Sequence, residues 1–516
     1  MFNILFNQTF AFVVNVLASF TFLAGGWLYV DSWKINKKIK TPLYRAIGFF
    51  TISATYLVTA SQLNVPLVTY ISELFRILGY IVIFVSLSTE PILSPPGKTA
   101  TKLSAFWLLP IIKSVFTPLI VGSVGLAYFI KSTKGYEKQL RLAALAFTTL
   151  FISEFLKASS IFADTKVVFW SKFLGEYGTL WFVTNFLELA GVTILFIWIW
   201  GYLRFRIQPQ LFITTLGFTI IIFITVAISF SFLTLKNLEK DLLSSLQTNS
   251  RFFQYTIERL QLEAMASSKT LASDNSLISN LPGENRDNLN EILDGISASQ
   301  ELDIASAINT KGFVVASIND SEVDIDESQN PVVESSLKGT PLSTVSVQSG
   351  SLYPEIVVTA ASPITSKNKI LGVAKAGYII DSAFVDGIKE VTKLDASIYA
   401  GDIQVASTLT IKDGITRYVG VKEINKNIIE QVLNSGQEYI GKNSILNSSY
   451  YVAYEPVKSY NDKVIGMLSV IEPESVLSDN IKNALNSTFL VSVVLIAASI
   501  LPSFFLAKYI ERNVTA

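Results

Sequence analysis

The feature that most constrains this chain is the uneven spread of its apolar residues. Eight apolar runs, seven before Leu235 and one after Asn486, enclose a long polar stretch. A helix needs about 20 residues to cross the apolar core of a bilayer. The runs Phe10–Val30, Ala46–Ser61, Val65–Val85, Ala105–Ile130, Leu142–Ile161, Thr179–Trp200, Leu211–Leu233 and Ser487–Leu506 reach or approach that length. With 50% hydrophobic and 16% charged residues, the chain has a balance that soluble domains seldom reach. From Lys236 to Asn486 the texture becomes that of a globular domain, dotted with Gly and Ser. The expected fold class is a multi-pass α-helical membrane bundle plus an α+β extracytoplasmic domain.

Lys and Arg gather on the cytoplasmic side of membrane proteins. Lys34, Lys37, Lys38, Lys40 and Arg45 crowd one loop, Lys131, Lys134, Lys138 and Arg141 a second, and Arg204 with Arg206 a third. An odd number of spans separates the first loop from the second, so single crossings cannot put all three in the cytoplasm. Either the first loop faces outward, or the segment Ala105–Ile130, with Pro110, Lys113 and Pro118 in it, enters and returns. Arg204 and Arg206 before the seventh span, and Lys508 and Arg512 after the eighth, leave the polar domain outside. Met1–Gln8 carries no cation and no small-residue cleavage site follows, so the first helix is expected to be retained. The expected location is the cytoplasmic (inner) membrane.

With 41 basic and 41 acidic residues, electrostatics gives no case for nucleic acid. The absence of Cys and His removes disulfides, thiolate ligands, the commonest general base and the commonest zinc ligand. No catalysis, cofactor or metal is expected within these residues. The acidic run Asp324, Asp326 and Glu327 lacks the Gly turn and terminal Glu of a calcium loop. Ionisable residues inside spans are costly and mark packing or function. Glu73 with Arg76, and Glu154 with Lys157, are spaced to pair on one helix face, whereas Glu188 and Lys113 have no local partner. Packing is one reading of these charges, and a proton, ion or ligand pathway is the other.

Beyond the seventh span, Leu235, Leu238, Leu242, Leu246, Phe253, Ile257, Leu260, Ala264 and Leu271 keep a three-four spacing. That spacing predicts an amphipathic stalk helix over 235–275, continuous with the span. The outer domain then repeats itself with a period near 90 residues. Asn309–Gly312 leads to Val315–Ala316–Ser317, and Pro363–Ile364 precedes Ile370–Leu371–Gly372–Val373. Correspondingly, Ala400–Asp402 leads to Val405–Ala406–Ser407, and Pro456–Val457 precedes Val464–Ile465–Gly466–Met467. Each module reads as antiparallel hairpins, among them Glu355–Ala361 with Ile370–Ile379 and Tyr450–Lys458 with Lys463–Ile471, and a helix Glu423–Leu433 in the second. A sheet with a helix across one face leaves a pocket of the kind that takes small ligands.

Several runs in the second module, taken in order, resemble an extracytoplasmic Cache domain of bacterial receptors. They are Asp395–Tyr399, Gly401–Asp402, Gly414–Gly420 with Arg417, Tyr450–Tyr451, Tyr454–Pro456 and Lys463–Leu468. With the first module and the entry helix, the outer domain resembles a double Cache (PAS-like) arrangement covering roughly half the chain. The resemblance implies a module over 276–381, a second over 382–486, a terminal span over 487–507 and a cytoplasmic linker from 508 to 516 that looks like the opening of a HAMP domain. It implies a small-molecule ligand, with carboxylates among the candidates, held by Arg417, Tyr418, Tyr451 and Tyr454. The first module lacks the Arg-x-x-x-Trp pattern of the amino-acid-binding group, so an amino acid is not expected. The expected function is the input portion of a signal-transduction receptor whose output, a kinase or other domain, lies outside this chain. The expected partners are the ligand, membrane lipid and a second copy joined through the long helix. A transporter with a solute-capturing ectodomain and a docking ectodomain are the alternatives.

Overall fold

The structure, a computed structural model, describes residues 2–35, 37–63, 65–89, 109–134, 137–158, 173, 178–350, 352–411 and 413–514. The start of the expected span Ala105–Ile130, the end of Leu142–Ile161 and the side chains of Lys113 and Lys134 lie outside the described residues. The chain divides into two compact units, Met1–Asn237 with Ser478–Ala516, and Leu238–Leu477.

The first unit is helical. It contains α1 (Phe2–Ile35), α2 (Thr41–Ala60), α3 (Pro66–Thr89), α4 (Leu109–Lys134), α5 (Arg141–Ala158), α6 (Thr179–Leu203), the opening of α7 (Ile207–Ser273) and most of the last helix, Glu474–Val514. Seven helices among the described residues are long and apolar enough to cross a membrane; α2, over the expected span Ala46–Ser61, is not one of them. The chain reverses between α2 and α3, where Gly48 meets Ile83 and Gly79 meets Ile52, and between α4 and α5, where Gly122 meets Phe151 and Tyr128 stacks on Phe147 at 5.4 Å.

These pairings bring the three basic loops to one end of the unit. There Arg45 Nε donates to Ser86 Oγ (3.2 Å), Tyr202 donates to Gln139 Oε1 (2.9 Å) and Arg206 pairs with Asp31 (3.0 Å). Within the described residues the segment for which entry and return is one of the two readings is a single helix, α4, with Pro118 inside it. Helix α3 ends at the basic end and α4 begins at the opposite one, and residues 90–108 lie outside the described residues.

The second unit opens with the rest of α7, which buries Leu246, Phe253, Ile257, Ala264 and Leu271 along one stripe. Asp274 ends that helix and caps α8 (Asn275–Asn280), accepting from the N–H groups of Ser276 and Leu277. Helix α9 (Arg286–Gln300) follows. A first sheet comprises β1 (Ile304–Asn309), β2 (Val314–Ser317), β3 (Leu342–Gln348), β4 (Glu355–Ser366) and β5 (Lys369–Ile380), in the order β2-β1-β5-β4-β3, with α10 (Pro331–Leu337) between β2 and β3. After α11 (Ser382–Thr392) a second sheet repeats the plan with β6 (Asp395–Ala400), β7 (Ile403–Ser407), β8 (Tyr439–Ile445), β9 (Ser448–Lys458) and β10 (Val464–Pro473), in the order β7-β6-β10-β9-β8. Its inserted helix, α12, runs Lys426–Ile428 and continues as a π-helical segment, Ile429–Asn434. It starts later than the expected Glu423 because Asn425 caps it, accepting from the N–H of Asn427 at 3.1 Å. The C-terminal helix, α13 (Glu474–Val514), begins directly at the end of β10, well ahead of the expected span Ser487–Leu506.

All neighbouring strands are antiparallel, and the repeat extends to the register. Ser306 lies opposite Ser317 and Lys375, and Ser397 lies opposite Ser407 and Ser469. A bulge falls after Ala307 in one module and after Ile398 in the other. The repeated glycines have the same steric cause. A Cβ on Gly372 would stand 2.2 Å from the carbonyl oxygen of Ile308, and one on Gly466 2.0 Å from that of Tyr399, so the strands can approach only where the side chain is absent. One face of the first sheet packs on α8 and α9 through Ala305, Ala307, Ala374, Leu277, Leu289 and Leu293, and the other on α10 through Ile308, Val373, Val332 and Val333. The α12 face of the second sheet holds Tyr399, Val452, Tyr454, Met467 and Ile471 under Ile428 and Val432.

Candidate functional site

Side chains alternate between the two faces of a strand, and on β9 that alternation separates residues close in sequence. Tyr454 lies on the α12 face, fully buried. Its hydroxyl donates to Glu423 Oε2 at 2.8 Å, and Asn443 Nδ2 donates both to Glu423 Oε2 (3.1 Å) and to the Tyr454 hydroxyl oxygen (3.3 Å). Glu423 Oε1 accepts from the backbone N–H groups of Ile424 and Asn425 at 3.0 and 2.9 Å, and Asn425 Nδ2 donates to Asn443 Oδ1 at 3.2 Å. Glu423 thus collects four donors from the loop, β8 and β9. Burial, reinforced by Tyr399 and Glu423, pushes the Tyr454 hydroxyl well above its ordinary value, so it stays protonated and donating. The Tyr399 and Tyr439 rings lie 5.9 and 6.5 Å from that of Tyr454, and Tyr418 packs against the same cluster.

Arg417 and Tyr451 are turned elsewhere. The Arg417 guanidinium makes a two-pronged contact with Asp386 of α11, Nη1 to Oδ1 at 2.8 Å and Nη2 to Oδ2 at 2.6 Å, and its Nη1 also donates to the Ser407 carbonyl at 2.9 Å. Hydrogen bonding to Arg417 holds the Asp386 carboxyl below the usual range. Tyr451 faces the long helix, its hydroxyl 3.4 Å from Glu239 Oε1 and its ring 4.7 Å from Lys442 Nζ, while Lys442 pairs with Glu474 at 2.6 Å. On that same back face Gln247 donates to Glu438 at 2.7 Å and Ser250 to Glu455 at 3.3 Å. The structure therefore brings Tyr418 and Tyr454 together and keeps Arg417 and Tyr451 apart from them. Sequence reasoning overlooked Glu423, Asn443, Tyr399 and Tyr439. The one signal for them was an acid two residues ahead of the helix-capping Asn425.

The equivalent face of the first sheet carries a buried ion pair. Lys375 of β5, 5% exposed, meets Glu327 of the loop before α10, whose Oε2 accepts from Asn330 Nδ2 at 3.3 Å. Ser317 donates to Glu322 at 3.2 Å beside it.

In the helical unit the four charged candidates join one chain rather than two local pairs. Arg76 contacts Glu73 at 2.8 Å and Glu154 at 3.7 Å, and Lys157 contacts Glu154 at 3.2 Å and Glu188 at 2.5 Å. Glu188, which had no partner in its own helix, finds one in α5. The network ties α3, α5 and α6 together through alternating charges.

Comparison with known proteins follows from this geometry. Residues 358–484 match the family model of single cache domain 3, from within β4 to the opening of α13. No curated protein matches the sequence. Similar solved structures include the sensor domain of the V. cholerae histidine kinase DctB, with 15% identity over 45% of this chain and 98% of that one and a TM-score of 0.32. The sensory domain of the Campylobacter jejuni chemoreceptor Tlp3 with isoleucine bound has 14% identity over 48% and 98%, with a TM-score of 0.30. The E. coli DcuS sensor domain has 17% identity over 26% and 96%, with a TM-score of 0.22. The similarity to a receptor's Cache sensor domain thus rests on residues 358–484, a stretch that contains the whole Glu423–Asn443–Tyr454 network.

Proposed function

We propose that this chain is the input portion of a transmembrane signal-transduction receptor, set in the cytoplasmic membrane as a multi-pass protein with its sensor unit outside. A small ligand occupies the α12 face of the second module and its binding is read by the helices that leave that module. The observation that carries this reading is the path of β10: it pairs with the strand bearing Tyr454 and passes at Pro473 directly into α13. A change in how the α12 face packs therefore acts on a helix long and apolar enough to span a bilayer. The Lys442–Glu474 pair and the Tyr451–Glu239 contact support the same route, because they tie the back of the sheet to the start of α13 and to α7.

Four tyrosines around a carboxylate suit a small metabolite bearing an ammonium or other N–H donor, which takes the place of Tyr454 or Asn443 on Glu423. Arg417 can serve a ligand carboxylate only by exchanging Asp386 for it. Two copies associate through α7, and lipid surrounds the helical unit. The test is a thermal-shift screen of Leu238–Leu477 against small amines, amino acids and carboxylates, repeated with Glu423→Gln. A ligand that binds raises apparent stability. The reading fails if none does, or if Glu423→Gln leaves the shift unchanged.

A further inference from the structure

The end of the helical unit where the basic loops meet contains a cleft of about 720 Å³, formed by α1, the start of α5 and the turn between α6 and α7. Its wall includes Asp31, Gln139, Trp198, Tyr202, Arg204 and Arg206. The charge balance around it favours cations. Lys34, Lys138 and Arg141 lie at the ends of the elements that meet there, against Glu137, and Asp31, the one carboxylate in the wall among the described residues, is engaged by Arg206 at 3.0 Å. Arg204 lies over the Phe205 ring at 4.7 Å, a contact that leaves its N–H groups to other acceptors. Trp198, 5% exposed, stands edge-on to Tyr202 with the ring centroids 5.5 Å apart and closes the inner end of the cleft. Helix α7 begins one residue after Arg206, and its first N–H groups add positive potential at the same place.

We propose that this cleft binds a phosphate group, through Arg204 and Arg206. A phosphate offers several acceptor oxygens in the geometry that guanidinium forks match. Positive charge that serves only to orient the chain needs neither a cleft nor two arginines in one wall. The phosphate is either that of an anionic lipid headgroup at the membrane surface or that of a soluble phosphate compound, and this assignment stands independently of the ligand face on the second module.

The test uses the full chain with two probes. Retention of phosphatidylglycerol by the detergent-purified protein is read by native mass spectrometry, and binding of pyrophosphate is read by calorimetry on the protein in phosphatidylcholine nanodiscs. Arg204→Ala weakens the bound probe about tenfold, the loss of one charge-assisted hydrogen bond, whereas Lys37→Ala with Lys40→Ala, outside the cleft, does not. Binding of phosphatidylglycerol with that pattern assigns the lipid, and binding of pyrophosphate with it assigns a soluble phosphate. Binding of neither probe, or equal losses in both sets of variants, overturns the proposal. Asp31→Asn removes the one carboxylate in the wall among the described residues and leaves both arginines in place, so it serves if the arginine variant does not fold. It raises affinity several-fold, and an unchanged affinity also overturns the site.

Discussion

Replacing Tyr454 by Phe removes one oxygen from a fully buried ring and leaves the packing of the second module otherwise intact. The lost interaction is a hydrogen bond to a carboxylate, a class that contributes about 1.5–3 kcal/mol. Glu423 retains Asn443 and the N–H groups of Ile424 and Asn425 as donors, so the cost belongs at the low end, about 1.5 kcal/mol. For a unit of this size that lowers Tm by roughly 3–6 °C, whereas Tyr454→Ala adds a cavity and costs about 3–5 kcal/mol. The assay is thermal and urea unfolding of Leu238–Leu477 as wild type, Tyr454→Phe, Glu423→Gln and the double variant. Because the two groups share one bond, the double-mutant cycle should return a coupling of at least about 0.5 kcal/mol. Additive losses would show that Tyr454 is held by packing alone and would refute the network as the organiser of this face.

In the first module, Lys375→Met leaves Glu327 buried without its cation and should cost about 3–5 kcal/mol in urea unfolding, while adding Glu327→Gln restores most of it. Burial raises the Glu455 carboxyl above its ordinary value, so the native state binds that proton more tightly than the unfolded chain does. Its contribution to stability therefore grows as pH falls from neutral through the native pKa and levels off below the unfolded value. Glu455→Gln should raise stability at pH 7 and flatten that slope. Spin labels at Leu235 and Ser487 should change separation when a proven ligand is added to the full chain. An unchanged distance would remove the proposed route through α7 and α13.

Much of the fold was legible because its causes are local. Apolar runs long enough to span a membrane mark most of the helical unit, and the repeat is visible at Gly372 and Gly466, where backbone contact tolerates no side chain. The site was less legible. Tyr451 and Tyr454 are an odd number of positions apart on one strand, so strand alternation alone places them on opposite faces. That argument was available in the sequence. The partner of Arg417 was not, since Asp386 reaches it from α11, 31 residues away. Glu423 reads as the first residue of a helix and Lys375 as one lysine of a strand, and only the topology brings a donor or a carboxylate opposite each. The joining of Glu154, Lys157 and Glu188 likewise depends on which helices are neighbours, and spacing within one helix cannot report that.

The two modules complete their α10 and α12 faces in the same way and fill them differently. In each, a Glu in the loop ahead of the helix stands beside the Asn that caps it, Glu327 with Asn330 and Glu423 with Asn425. The strand position that Ala361 occupies in the first module is Tyr454 in the second, and that of Lys375 is Ser469. The loop acid of the first module therefore meets a buried ammonium, and that of the second a phenol. Drawing Glu327 away strands the buried Lys375 ammonium without its carboxylate, whereas drawing Glu423 away leaves a neutral phenol, and the backbone donors of Glu423 travel with it. The second loop is thus the cheaper one to open. Amide hydrogen exchange on the ligand-free chain should be faster at Ile424–Asn434 than at Ser328–Leu337, and the reverse order would mean that the ion pair, not the tyrosine network, marks the face that opens to a ligand.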